Sequence, residues 1–222
     1  MEIIFPVVDI SAVSPQIALV TSAILVLVLG LFDGMRRVIP YIAVGLLAIC
    51  GIVATSAWGG EARAFSDLSA MAVLDDFTIF STLIFIAGGI LTILISVSYA
   101  EHRRIDRGEY YALILFAISG MSLMAASVNL FTFFLSLEVL SISLYVLIGI
   151  EYQKSESNES ALKYFLLGAF ASGFILYGIA LIYGGTGSTD FAAISDQTSG
   201  GSNLLVLAGL GLLLVGIGFK IS

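Results

Sequence analysis

The chain is poor in the residues that most catalytic centres are built from. It has one cysteine, Cys50, and one histidine, His102. A lone cysteine excludes an internal disulfide and a thiolate cluster for zinc or iron–sulfur. A lone histidine excludes a haem held by a pair of histidines. Cys50 lies inside an apolar run and reads as a small buried hydrophobe; His102 lies among loop charges and reads as solvated. Charge is equally scarce, at 11% of residues against about 25% in a soluble domain. No basic stripe exists, so nucleic acid is not a partner. The net charge of -7 reflects acids spread over several short loops. The N-terminal stretch MEIIFPVVDISAVSPQ carries Glu2 and Asp9 and no Lys or Arg; without a basic n-region no cleavable signal peptide is expected, and the first helix is retained. Gly184-Gly185-Thr186-Gly187 lacks the lysine of a phosphate-binding loop. Gly209-Leu210-Gly211 follows no strand, so it is no dinucleotide fingerprint.

What is present is apolar. Hydrophobic residues make up 59% of the chain, with a mean hydropathy of +1.08. So little polar material cannot cover a soluble surface, which makes this an integral membrane protein. Apolar runs of ~20 residues, the length that crosses a bilayer, recur at about 15–32, 38–58, 77–99, 110–128, 130–150, 161–184 and 203–222. They are continuously apolar and lack the strict alternation of barrel strands. The expected fold is all-α, a bundle of about seven transmembrane helices.

The loops give an orientation. Arg36 and Arg37, then Arg103, Arg104 and Arg107, then Lys154 fall in alternate loops; the opposite side has Arg63 beside Glu61, Asp67, Asp75 and Asp76, and further on Asp190 and Asp196. Six basic residues face one, and the positive-inside rule places the N-terminus outside. The arginines read most simply as topology determinants in reach of anionic lipid. The final apolar run ends at Ser222 with no polar tail, which suggests part of a longer protein.

Three ionisable residues lie within or against the apolar runs. Glu138 is the one charge between Leu130 and Ile150, at a depth of roughly 12 Å along a helix. An acid there is costly and is seldom kept without a use. Its helical face carries Phe134, Ser141, Ile142 and Tyr145, so two hydroxyls neighbour the carboxyl. The plainer alternative is a protonated acid acting as packing glue. Lys220 ends the run from Leu204 to Phe219, after glycines at 209, 211, 216 and 218. A glycine-rich span with a lysine suits a broken transport helix; the alternative is a lysine snorkelling to the interface. Lys163, near the start of the sixth span, is either a snorkelling anchor or a proton feed at an entrance. Gly168, Ala169, Ser172 and Gly173 on the same span favour close helix packing.

Three stretches carry a family resemblance. Phe133 to Tyr145, FFLSLEVLSISLY, resembles the fifth helix of subunit N of NADH-quinone oxidoreductase, respiratory complex I. Glu159 to Gly173, ESALKYFLLGAFASG, resembles its sixth helix. Gly216 to Ser222, GIGFKIS, resembles the middle of its seventh, a helix broken at a key lysine. The resemblance implies an antiporter-like fold of two inverted five-helix repeats, each a proton half-channel. It divides this chain into three N-terminal transmembrane helices over 1–109 and an incomplete first repeat over 110–222. It implies that Glu138 pairs with Lys220, and that Lys163 lies near a proton entrance. It implies no redox cofactor in this chain; NAD, FMN, iron–sulfur clusters and quinone belong to other subunits. Its partners would be other membrane-arm subunits, neighbouring antiporter-like subunits among them, together with lipid and protons, in the bacterial cytoplasmic (inner) membrane. Three functions stand open here: a proton-translocating subunit of complex I, a subunit of a multi-subunit Na⁺/H⁺ antiporter or membrane-bound hydrogenase, and a non-transporting membrane scaffold.

Overall fold

The computed structural model describes residues 9–65, 71–103, 105–199 and 203–221. Glu2, Asp67, Arg104 and Ser222, used above, lie outside these residues. The helices are α1 (Ser14–Leu29), α2 (Ile39–Thr55), α3 (Asp76–Arg103), α4 (Gly108–Ala126), α5 (Leu130–Ile148), α6 (Ser155–Thr186), α7 (Phe191–Thr198) and α8 (Leu204–Ile221). All seven expected spans are helical. Six are long and apolar enough to cross a membrane, and α2, with 17 residues, is the short one, at about 26 Å. The chain is a multi-pass membrane protein.

Where a helix runs past its apolar stretch, as α3 and α6 do, the cause is the same; α1, α2 and α4 instead end two or three residues before their runs do. Hydropathy marks where lipid begins, not where hydrogen bonding stops. Thus α3 runs on to Arg103, and α6 starts at Ser155 through a polar first turn. The loop after α6 holds an additional short helix, α7, because Asp190 caps it by accepting from the Ala192 and Ala193 amides at 3.0 Å each. The loop after α2 contains a two-stranded antiparallel pair, β1 (Arg63–Ala64) and β2 (Val73–Leu74). α8 is continuous from Leu204 to Ile221, with Lys220 in its last turn.

Two apolar cores organise the bundle. The first joins α1 to α4 through residues such as Leu19, Leu47, Ile86, Tyr111 and Leu115, with Cys50 fully buried in it. The second joins α5, α6 and α8 through Leu137, Ile175, Ile179, Ile182 and Leu213. α4 belongs to the first core and also backs α5. Gly120 makes that contact possible: a Cβ there would lie 2.8 Å from the Leu140 nitrogen and 2.9 Å from the Ser136 oxygen. Gly120→Val therefore forces α4 and α5 apart. Overpacking costs about 1–3 kcal/mol, so thermal unfolding of the detergent-purified protein should start at lower temperature. Gly45→Ala, where nothing lies within 4 Å, should leave it unchanged.

Polar groups inside the first core pair with one another. The Gln16 amide donates to Ser122 Oγ at 3.1 Å, and Thr82 Oγ1 lies 2.7 Å from the same oxygen. At the end of the bundle where α5 begins, extended segments are stitched together. The Phe65 amide donates to the Ala72 carbonyl, Leu130 to Thr189, and Phe191 to Val128. These bonds satisfy backbone groups between helices and tie the helix ends together.

Candidate functional site

α5 starts from a firm anchor. The Asn129 side chain accepts from the Phe131 amide at 2.8 Å and donates to Thr189 Oγ1 at 2.9 Å. Glu138 follows eight residues after Leu130, about 12 Å along the axis. Lys220 Nζ, from the last turn of α8, donates to Glu138 Oε1 at 2.5 Å and to Ser141 Oγ at 3.1 Å. The lysine side chain is 9% exposed and the glutamate 24%. Ser172 Oγ, from α6, lies 2.5 Å from the same Oε1. Donors from two helices thus converge on one carboxylate oxygen of a third.

Ser141 stands one turn beyond Glu138, as its spacing requires. Its hydroxyl donates to the Leu137 carbonyl at 2.7 Å, so it meets the ammonium as an acceptor. Tyr145, a further turn on, is buried and packs edge-on to Tyr164 and Phe165, with ring centroids 5.1 and 5.8 Å away. A cavity of about 730 Å³ opens beside the pair, walled by apolar side chains including Leu137, Leu144 and Ile217, and reaching Ser141, Tyr145 and Lys220.

Lys220 reaches Glu138 because α6 and α8 touch backbone to backbone. A Cβ on Gly178 would lie 2.7 Å from the Gly209 oxygen, and a Cβ on Gly209 would lie 2.7 Å from the Gly178 oxygen. Small residues allow this approach where lipid supplies no hydrophobic drive between helices.

The structure brings together two of the three site residues read from the sequence. Lys163 stands apart: it pairs with Glu159 at 2.5 Å, one turn away on α6, and both side chains are largely exposed. Ser172 is the site residue that sequence reasoning missed. It was legible only as one of several small residues on a packing face; nothing in its spacing says which helix that face meets. Among the described residues no group of three or more His, Cys, Asp or Glu is placed to hold a metal ion.

The basic loops gather at the far end of the bundle from Asn129. Arg103 Nε lies 3.7 Å from Glu151, Lys154 pairs with Glu151, and the Arg107 guanidinium sits 5.8 Å from the centroid of the Tyr152 ring. Gly30, where α1 ends near Arg36 and Arg37, meets Gly108 at the start of α4, so that loop lies at the same end. His102 is exposed, with Nδ1 2.6 Å from the Ser98 carbonyl. The hydrogen bond from Lys154, reinforced by the charges of Lys154 and Arg103, holds the Glu151 carboxyl below its ordinary range. A carboxyl with a lowered folded-state pKa stabilises the fold above the unfolded value, and loses that contribution as the pH falls through the folded one. Glu151→Gln should therefore melt slightly lower than the parent at neutral pH, the pair being near the surface. The two should converge in strongly acidic buffer, as followed by melting across a pH series.

The chain has clear relatives. Residues 127–222 match the family described as NADH:quinone oxidoreductase/Mrp antiporter, TM. NADH-quinone oxidoreductase subunit N of Chloroflexus aggregans is 41% identical over 98% of this chain and 45% of its own length. This chain thus spans about half the length of the curated relatives it matches. Among solved structures, respiratory complex I from Thermus thermophilus with bound aureothin contains a chain that superposes with a TM-score of 0.73 at 33% identity, covering 93% of this chain and 43% of that one. The Mrp complex from Dietzia shares the fold, with a TM-score of 0.71 at 20% identity, covering 92% of this chain and 40% of its counterpart.

Proposed function

Because this chain belongs to the family of antiporter-like membrane subunits that includes subunit N of NADH-quinone oxidoreductase, we propose that it works as a proton-translocating subunit in the membrane arm of such a complex. The single observation that carries the reading is the Glu138–Lys220 ion pair, held between α5 and α8 in a largely apolar setting. An acid and an amine in contact hold each other charged; drawn apart, each is favoured neutral, and the pair gives up or takes a proton as a unit. Moving one charge against 100 mV costs about 2.3 kcal/mol, and opening a desolvated ion pair involves energies of that order. The cavity beside Lys220 gives the ammonium somewhere to go. In this reading Lys163 collects protons at the entrance, through its exposed pairing with Glu159.

The chain itself carries no redox group in this account. NAD, FMN, iron–sulfur clusters and quinone sit in other subunits, whose electron transfer drives the pair through neighbouring antiporter-like subunits. The basic loops face the cytoplasm and the N-terminus faces outside, in the bacterial cytoplasmic membrane. A Na⁺/H⁺ antiporter subunit is the second reading, since the matching family includes Mrp antiporters; the solved Mrp chain is 20% identical, whereas the Chloroflexus subunit N is 41% identical over 98% of this chain and 45% of its own length.

The test is to place the full-length protein in a host lacking its own subunit N and to measure acidification of sealed inverted vesicles. The proposal expects NADH to drive proton uptake without sodium. Uptake that requires a sodium gradient and ignores NADH would favour the antiporter. Normal NADH-driven uptake with both Glu138 and Lys220 replaced would leave only a scaffold.

A further inference from the structure

One hydroxyl in the site has more acceptors than protons. Ser172 Oγ is placed to donate to Glu138 Oε1 at 2.5 Å and to the Gly168 carbonyl, one turn back on α6, at 3.0 Å. A serine hydroxyl has one hydrogen, so it serves one of these at a time. Ser141 differs: its hydrogen goes to the Leu137 carbonyl and its oxygen accepts from Lys220, which leaves nothing to choose. The carboxylate is lopsided as well. Ser172 and Lys220 both address Oε1, and no described residue donates to Oε2.

From this geometry we infer that Ser172 is a positioning residue for the Glu138–Lys220 pair, a hydroxyl that turns between the Glu138 carboxylate and the Gly168 carbonyl as Glu138 gains or loses its proton. While the pair is closed, the hydroxyl donates to Oε1 and shares it with the ammonium. When Lys220 leaves and the carboxylate takes a proton, the charge that attracted the hydroxyl is gone, and its hydrogen turns to the carbonyl. The serine oxygen stays beside the carboxyl throughout. Glu138 thus keeps its position on α5 in both protonation states and is ready for the returning lysine. The inference rests on the proposed proton-handling pair and adds a residue from a third helix to it.

The experiment compares Ser172→Ala, Ser172→Cys and Ser172→Thr with Glu138→Gln, each in the full-length subunit within its assembled complex. Two quantities are read: NADH-driven proton uptake in inverted vesicles, and the infrared difference band of the Glu138 carboxyl, identified by its loss in Glu138→Gln. Ala and Cys should lower uptake about tenfold, the loss expected for one hydrogen bond to a charged group, and should shift the band. Thr keeps a hydroxyl and should retain uptake and band position. Cys matches serine in size and donates poorly, which separates hydrogen bonding from packing. If Glu138→Gln abolishes uptake while Ala and Cys pump normally with an unmoved band, the Ser172 inference fails and the pair stands. Equal losses in Ala, Cys and Thr with an unmoved band would reduce Ser172 to a packing residue and also overturn it. If Glu138→Gln itself pumps normally, the failure is that of the proposed function.

Discussion

Glu138→Gln and Lys220→Ala should each leave the complex assembled and oxidising NADH while proton uptake falls tenfold or more. Gln preserves the size of the side chain and an oxygen that can accept from Ser172, so the α5–α6 contact survives. What it removes is the group that takes up and releases the proton. Lys220→Ala removes the cation and leaves the carboxylate without its partner. A charge left alone in a dry setting is held at a cost of several kcal/mol and neutralises instead. Each 1.4 kcal/mol is a factor of ten, so a change of that size is ample to stop turnover of the site. Stability is not the main casualty: hydrogen bonds between transmembrane helices contribute only about 0.6 kcal/mol on average, and the glycine contacts between α6 and α8, at Gly178, Gly209 and Gly216, are untouched by either substitution. Comparing uptake per NADH oxidised with the amount of assembled complex on a native gel checks both halves of the expectation. A scaffold would show the opposite pattern, with assembly damaged and the surviving complexes pumping normally.

The second large effect is expected at the backbone contact that brings Lys220 into range. Gly209→Val and Gly178→Val each place a branched side chain where a carbonyl oxygen of the facing helix lies 2.7 Å from the first added carbon. A flexible side chain could step aside; a helix backbone cannot without moving the helix. α8 must then withdraw from α6, which loosens the core around Ile175, Ile182 and Leu213 and carries Lys220 away from Glu138. Overpacking alone costs about 1–3 kcal/mol, and the separated core adds to it. Both variants should lose assembled complex and pumping together, unlike Glu138→Gln, which loses pumping alone. Gly211→Ala, on the same helix with nothing within 4 Å, is the matched control and should behave as the parent. Assembly and uptake measured side by side distinguish a residue that holds the site in place from one that works in it.

The bundle was largely legible in advance because lipid imposes a simple rule. A span must be apolar and must satisfy its own backbone by hydrogen bonding, and all seven runs are helices for that reason. Helix ends were less legible. Hydropathy is silent about the polar first turn of α6, and the Asp190 cap that builds α7 is a local signal in a loop that was read only for its charge. The pair itself was visible from both sides: Glu138 as an acid too deep to be idle, Lys220 as the amine after a run of glycines. Their meeting was not visible in the spacing, since sequence periodicity says which face a residue occupies and not which helix faces it. The family resemblance supplied that partner. Ser172 shows the limit from the other direction. Serine on a packing face reads as a small residue, and its second use depends on where a carboxylate on another helix arrives. The Gln16–Ser122–Thr82 cluster was missed for the same reason, because its three members come from α1, α4 and α3.

A double-variant cycle in the assembled complex probes the heart of the account, comparing uptake per NADH for Glu138→Gln, Lys220→Met and the two combined. Groups that act as one unit lose their function once, so the combined variant should pump no worse than the poorer single one. Losses that multiply in the combined variant would show an acid and an amine working independently, and would contradict the shared proton on which this reading of the protein depends.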